Sequence, residues 1–254
     1  VEQTSIDEAY LDLTGTVATW DEAIVAARTL QQRVRHQVGL SASLGVAANK
    51  LLAKVASDYD KPGGLTVVHP GDEAAFLAPL PVRVLSGVGP VTAEKLAAMG
   101  IKTVGDLARA DETALHRRLG SHGIHMARRA RGLDNQPVVT EHERKSVSQE
   151  RTFRRDLVHE KDLQRHLWDL CQGVAGRLER VDRAAGTVVL KLRYADFTDV
   201  GRQMRLDVPT ADPRVLYRAT LALLERAWQP GRPVRLLGVG ASRLSPPPGQ
   251  MRLL

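Results

Sequence analysis

One cysteine in 254 residues, Cys171, leaves no partner for a disulfide within the chain. Its neighbours Leu170 and Val174 mark it as a small core residue on a helix, in a protein expected to live in a reducing, cytoplasmic compartment. No apolar run approaches the ~20 residues needed to span a bilayer, and no secretory signal pattern opens the chain, so no membrane partner is expected. Aromatic residues make up only 4% of the chain, which excludes base stacking on aromatic platforms as a main grip on a ligand. What the chain has in quantity is arginine, 28 residues against 8 lysines, suited to planar, bidentate contacts with phosphate.

The net charge of +7 is unevenly spread. Residues 1–80 carry 6 Lys/Arg against 10 Asp/Glu, residues 81–137 carry 9 against 5, and residues 138–254 carry 21 against 14. An acidic start followed by basic segments suits a metal-dependent site joined to elements that hold a polyanion.

The carboxylates with the clearest setting are in Ser5-Ile6-Asp7-Glu8-Ala9-Tyr10-Leu11-Asp12-Leu13. Neighbouring side chains on a strand point to opposite faces, so Asp7 and Glu8 converge on one ion only from a bend. The pattern predicts a strand over Val1 to Ile6 and a second whose buried face is Ala9, Leu11 and Leu13, with the acidic pair between them. Two adjacent carboxylates repel unless a cation neutralises them, and a hard cation such as Mg²⁺ takes oxygen ligands and shares its shell with substrate phosphate.

Helical spacing of Ile24, Ala27, Leu30, Val34 and Val38, stopped by Gly39, predicts a helix over 20–38. Ser41 to Ala47 reads as a strand, Asn49 as the cap of a helix ending before Pro62, and Leu65 to Val68 as a further strand. From Pro79 the pattern changes to short helices. Within Val84-Leu85-Ser86-Gly87-Val88-Gly89-Pro90-Val91, two glycines permit a turn that exposes backbone amides at a helix start, a ready anion site, and Gly100 ends the helix. After 138 the order is strand, helix at about 160–181, strands within 186–194 and 201–208, helix at about 212–228, and a strand within 234–244. This β-α-β-β-α-β plan describes a small sheet backed by two helices. The fold class expected is therefore α+β and multidomain.

The acidic string resembles the second carboxylate motif of Y-family DNA polymerases, the translesion enzymes of the DinB type. The similarity continues through Leu44-Gly45-Val46-Ala47-Ala48-Asn49-Lys50-Leu51-Leu52-Ala53-Lys54-Val55-Ala56-Ser57-Asp58-Tyr59-Asp60-Lys61-Pro62-Gly63-Gly64-Leu65. The resemblance implies a partial palm at 1–78 with an antiparallel sheet and helices, and an all-helical thumb with a helix-hairpin-helix at 79–137. It further implies a linker at 138–146, a little finger at 147–245 with four strands and two helices, and a tail at 246–254. It implies that Asp7 and Glu8 are two of three carboxylates holding two Mg²⁺ ions, and that Lys61 reaches the triphosphate of an incoming dNTP. Primer-template DNA would be contacted by Gly87 and Gly89 in the thumb and by Ser146, Arg151, Arg154 and Arg235 on a basic sheet face. Gln250, Leu253 and Leu254 resemble a sliding-clamp peptide, and the protein is expected to act as a monomer.

The family's first metal-ligating Asp, its sugar-discriminating aromatic and its fingers precede the region matched here. The expectation is that these 254 residues alone have little or no polymerase activity. Two other classes compete: a non-catalytic duplex-DNA-binding protein that uses the helix-hairpin-helix and the basic sheet, and a nucleotide cyclase, which also carries acidic pairs but needs no duplex grip.

Overall fold

The computed structural model describes residues 1–141 and 143–248 and divides into two compact units, residues 1–141 and 142–254. The class is α+β, as expected.

In the first unit β1 (Glu2–Gln3) pairs antiparallel with β2 (Ala9–Tyr10), Glu2 opposite Tyr10 and Gln3 opposite Ala9. These strands are far shorter than the run predicted from Val1 to Ile6. The predicted buried stripe is absent too: Ala9 and Leu11 are exposed and Leu13 is half-buried. The physical reason is that a two-residue ladder fixes too little backbone to present a continuous face.

Helix α1 (Trp20–Val38) starts where the Thr19 side chain accepts from the Glu22 amide and stops at Gly39, whose φ of 70° is left-handed. Strand β3 (Leu44–Val46) leads into α2 (Lys50–Tyr59), capped by the Asn49 side chain accepting from the Leu52 amide. Helix α2 returns the chain to β4 (Leu65–Val67), which pairs with β3 in parallel. Where one antiparallel palm sheet was expected, two separate ribbons stand, and the second is parallel because a helical crossover joins its strands. Gly45 lets β3 lie against α2; a Cβ there would collide with the Ala53 carbonyl oxygen.

Five short helices follow: α3 (Glu73–Leu77), α4 (Pro90–Ala97), α5 (Val104–Arg109), α6 (Glu112–Leu119) and α7 (Ser121–Ala130). Leu52 and Val55 of α2 belong to the same hydrophobic core as Leu77, Leu96, Leu107, Leu115 and Met126. Helix α2, which carries the partners of the acidic hairpin, and the short helices are thus built around one apolar centre.

The second unit is the predicted β-α-β-β-α-β domain. It runs β5 (Ser146–Leu157), α8 (Glu160–Arg180), β6 (Ala184–Tyr194), β7 (Asp199–Thr210), α9 (Pro213–Ala227) and β8 (Val234–Ser245). The sheet order is β5-β8-β6-β7 and every pair is antiparallel. Alternation along β6 sends Val188, Leu190 and Leu192 toward Leu163, Leu167, Val174 and Leu178 of α8. Cys171 is fully buried in this core against the Thr220 hydroxyl, and burial pushes its thiol up to about 11.

Candidate active site and nucleic-acid interface

Asp7 and Glu8 occupy the bend between β1 and β2, as the sequence predicts. The loop is closed by the Thr4 and Ser5 amides donating to the Glu8 carbonyl at 3.0 and 3.3 Å. The Ser5 hydroxyl donates to the Asp7 carboxylate at 2.6 Å. That bond lowers the Asp7 pKa from its ordinary value, with smaller help from the Lys61 and Lys54 charges, and the side chain is open to solvent.

Glu8 is bound by the Lys54 ammonium at 2.6 Å. Lys54 in turn reaches Asp58 at 3.1 Å, and Asp58 reaches Lys61 at 2.5 Å. Partial burial pulls the Lys54 ammonium down, but the Glu8 and Asp58 carboxylates outweigh it and leave its pKa raised. Burial likewise pushes Asp58 up, and hydrogen bonds from Lys61 and Lys54 outweigh it and leave its pKa lowered. Lys61 therefore stands in one ion-pair chain with Glu8, although 53 residues separate them in sequence.

Helix periodicity explains this docking. Lys50, Lys54 and Asp58 recur at i, i+4 and i+8 on one stripe of α2, while Leu51, Leu52, Val55 and Ala56 fill the opposite, buried face. The stripe faces the hairpin: Lys54 takes Glu8, and Lys50 takes Glu2 through both carboxylate oxygens at 2.8 and 2.6 Å. Glu2 also accepts from the Val139 amide at 2.8 Å. Neither Glu2 nor Lys54 was assigned a role from sequence. The signal for the lysines was the four-residue spacing; Glu2 carried none.

Asp7 and Glu8 offer oxygen donors only, and Glu8 already holds a cation in the form of the Lys54 ammonium. The donor chemistry fits a hard divalent ion. Among the described residues no group of three or more His, Cys, Asp or Glu side chains is arranged to hold a metal. A cavity of about 550 Å³ opens nearby, lined by residues including Tyr10, Leu13, Trp20, Val46 and Lys50. Asp7, Glu8 and Lys61 are not among its lining residues, so the acidic bend lies outside it.

The glycine turn takes the predicted form. Gly87 has a φ of 93°, Gly89 is the N-cap of α4, and Pro90 is its first residue. Arg129 of α7 donates to the Ser86 carbonyl at 2.6 Å, and His122 lies 3.4 Å from the Gly87 carbonyl. Arg129 and His122 therefore hold the turn through its carbonyls, and Gly87 and Gly89 are exposed.

The sheet of the second unit corrects the expected basic face. Arg151 pairs in register with Leu237, a core residue, and so lies on the helix-bearing side. There it meets His166 at 3.2 Å and Asp169 at 4.0 Å, both on α8. Ser146 has the opposite parity and is exposed, and Arg154, next to buried Phe153, is exposed as well. Arg235 sits 5.1 Å over the Phe197 ring at the register shift that opens β8. On the open face Lys191 is paired with Glu150 at 2.9 Å, and Arg193 with Asp199 at 2.6 and 2.7 Å. Glycine, serine and threonine fill much of the rest, at Ser146, Ser148, Thr152, Thr187, Gly201, Gly238 and Gly240. The DNA-contact residues expected of this domain do not all share one face, because strand parity divides Arg151 from Ser146.

Gln250, Leu253 and Leu254 lie outside the described residues. Among the described residues no helix is long and apolar enough to cross a membrane.

Three family models match in order along the chain. The impB/mucB/samB family covers residues 1–58, the IMS family HHH motif covers 70–101, and the impB/mucB/samB family C-terminal domain covers 144–253. DNA polymerase IV of Listeria welshimeri is 41% identical over 246 residues, which is 97% of this chain and 69% of that protein. DNA polymerase IV of Halorhodospira halophila is 44% identical over the same shares. The solved Y-family DNA polymerase chimera Dbh-Dpo4(243-245)-Dbh matches with a TM-score of 0.84 at 26% identity, over 96% of this chain and 71% of that one.

Proposed function

Since the chain belongs to the Y-family (impB/mucB/samB) DNA polymerases of the DNA polymerase IV type, a family of translesion enzymes, we propose how its residues serve template-directed nucleotidyl transfer. The observation that carries the reading is the bend that presents Asp7 and Glu8 to solvent beside Lys54 and Lys61. Family membership removes the cyclase alternative.

Residues 1–78 act as a partial palm, 79–137 as a thumb and 147–245 as a little finger, with 138–146 as linker. Asp7 and Glu8 hold Mg²⁺. When bound, the two ions of such a site neutralise charge on the transferring phosphoryl group and activate the attacking hydroxyl. The Ser5 hydroxyl, donating to Asp7, further favours the ionised carboxylate that this role needs. Lys61 binds the triphosphate of the incoming dNTP as a point charge. The exposed Gly87 and Gly89 amides, at the start of α4, take a phosphate of the primer strand. In the little finger, Ser146, Arg154 and the glycine-rich open face lie along the duplex backbone, which positions DNA without reading its sequence. Arg235 serves this surface from its margin, and Arg151, held against α8, supports the strand without a phosphate contact of its own. The tail docks on a sliding clamp through Gln250, Leu253 and Leu254, and deletion of 250–254 is expected to abolish clamp pull-down.

For the 254 residues in isolation the expected reading is the second, duplex binding without turnover, since the resemblance makes Asp7 and Glu8 two of three carboxylates. A gel shift and a primer-extension assay on one labelled primer-template, with Mg²⁺ and all four dNTPs, test both statements. Binding without extension is expected. Extension would refute the inactivity of the isolated chain, and absence of binding would refute the assigned DNA surfaces.

A further inference from the structure

The ion-pair chain Glu8–Lys54–Asp58–Lys61 alternates in sign from a proposed metal ligand to the proposed triphosphate lysine. Lys54 is shared: its ammonium is 2.6 Å from Glu8 and 3.1 Å from Asp58. No side chain in the chain is deeply buried, the exposures being 43, 26, 44 and 53% in that order. Exposed pairs of this kind are weak enough to exchange partners without rebuilding the fold.

Resting on the assignment of Asp7 and Glu8 as metal ligands, we propose that these four residues form a relay. A divalent cation at the doublet drives the Lys54 ammonium from Glu8 onto Asp58, and Asp58 then gives up Lys61 to the triphosphate. The driving force is the repulsion between the arriving ion and an ammonium that shares its carboxylate. Lys54 needs no new partner, because Asp58 is already in reach. Charge balances throughout: metal replaces Lys54 on Glu8, Lys54 replaces Lys61 on Asp58, and phosphate replaces Asp58 on Lys61. By linkage the coupling is reciprocal, so a polyphosphate that captures Lys61 eases entry of the metal. Lys54 and Asp58 are positioning residues that touch neither metal nor nucleotide.

The test uses the 254-residue chain, with Mn²⁺ alone as probe and water-proton relaxation as readout. Lys54→Met removes the competing cation and is expected to tighten Mn²⁺ about fivefold, the scale of one surface charge pair. Asp58→Asn strands Lys54 on Glu8 and is expected to weaken Mn²⁺ by a similar factor. In the double variant the Asp58→Asn effect should vanish, leaving the Lys54→Met affinity. Weaker Mn²⁺ binding in Lys54→Met, or an Asp58→Asn effect that persists in the double variant, would overturn the relay in favour of a structural prop or a simple field effect. A second arm uses inorganic tripolyphosphate with EDTA present: Asp58→Asn is expected to bind it several-fold tighter, and the gain should disappear when Lys61→Ala is added. No gain would overturn the release step. Asp7→Asn separates the two levels, since Mn²⁺ binding that survives it refutes the metal assignment itself, whereas its loss together with an unresponsive Lys54→Met refutes only the relay.

Discussion

Replacing Lys50 with methionine removes the cation that anchors the acidic hairpin while keeping most of the side chain's apolar length. The Lys50 side chain is 14% exposed and that of Glu2 6% exposed, so the pair is shielded from solvent. Lys50 contacts both Glu2 oxygens and the Pro137 carbonyl at 3.3 Å, and Glu2 keeps the Val139 amide as a further donor. Removing one partner of a buried ion pair costs about 3–5 kcal/mol. Glu2 keeps other interactions, the Val139 amide among them, so the expected loss lies at the lower end, ~3 kcal/mol. For a unit of 141 residues that corresponds to a fall in melting temperature of roughly 10 °C. The double variant Glu2→Gln with Lys50→Met removes both charges of the pair and should lose only about 1 kcal/mol, the net worth of the missing hydrogen bonds. Urea unfolding followed by circular dichroism measures both, and hydrogen exchange at β5, β6, β7 and β8 should stay unchanged as an internal reference. A loss below about 1 kcal/mol in the single variant, or a double variant as unstable as the single, would refute the argument that Glu2 is a buried, ionised anchor.

The corrected sheet geometry separates two arginines that the sequence treats alike. Arg154→Ala should reduce the slope of log affinity against log salt for duplex DNA by about 0.9, the loss of one phosphate contact, while Arg151→Ala, which faces α8, should leave the slope nearly unchanged. Equal effects would refute the division by strand parity. In the same unit, Asp196 accepts from the Thr198 amide and from Arg232, which lowers its pKa from 3.8 to about 2. A folded pKa below the unfolded one means that this contribution is complete above pH 3.8 and is lost as pH falls toward 2. Urea midpoints measured between pH 5 and pH 2 should therefore fall less steeply in Asp196→Asn than in the unaltered chain; identical slopes would remove Asp196 from the account.

How much of this was legible before the structure depends on how long each periodic signal runs. Helix α8 and strand β6 span 21 and 11 residues, so their apolar patterns repeat often enough to specify type, ends and buried face. The ribbon of β1 and β2 has two residues per strand, too few for alternation to mean anything, and its predicted apolar stripe failed for that reason. The acidic bend was still found, because its evidence was chemical rather than periodic: two carboxylates in sequence can meet one ion only at a turn.

The placement of Arg151 differs in kind. Val147 and Phe153 share its parity along β5 and are both buried, so the information that Arg151 lies on the inner side was present in the same twelve residues. The resemblance groups Arg151 with an open basic face, whereas an edge strand lets a long side chain lie over its own helix and keep its guanidinium wet. The Glu8–Lys54 contact marks a third limit. Its partners are 46 residues apart, on a hairpin and a helix, and no local period connects them. Only the i, i+4 stripe of Lys50, Lys54 and Asp58 hints that α2 offers a charged face to something acidic. Placing that face against Glu2 and Glu8 requires the core of Leu52 and Val55 to be assembled first, so the site's electrostatics follow from packing that no single segment encodes.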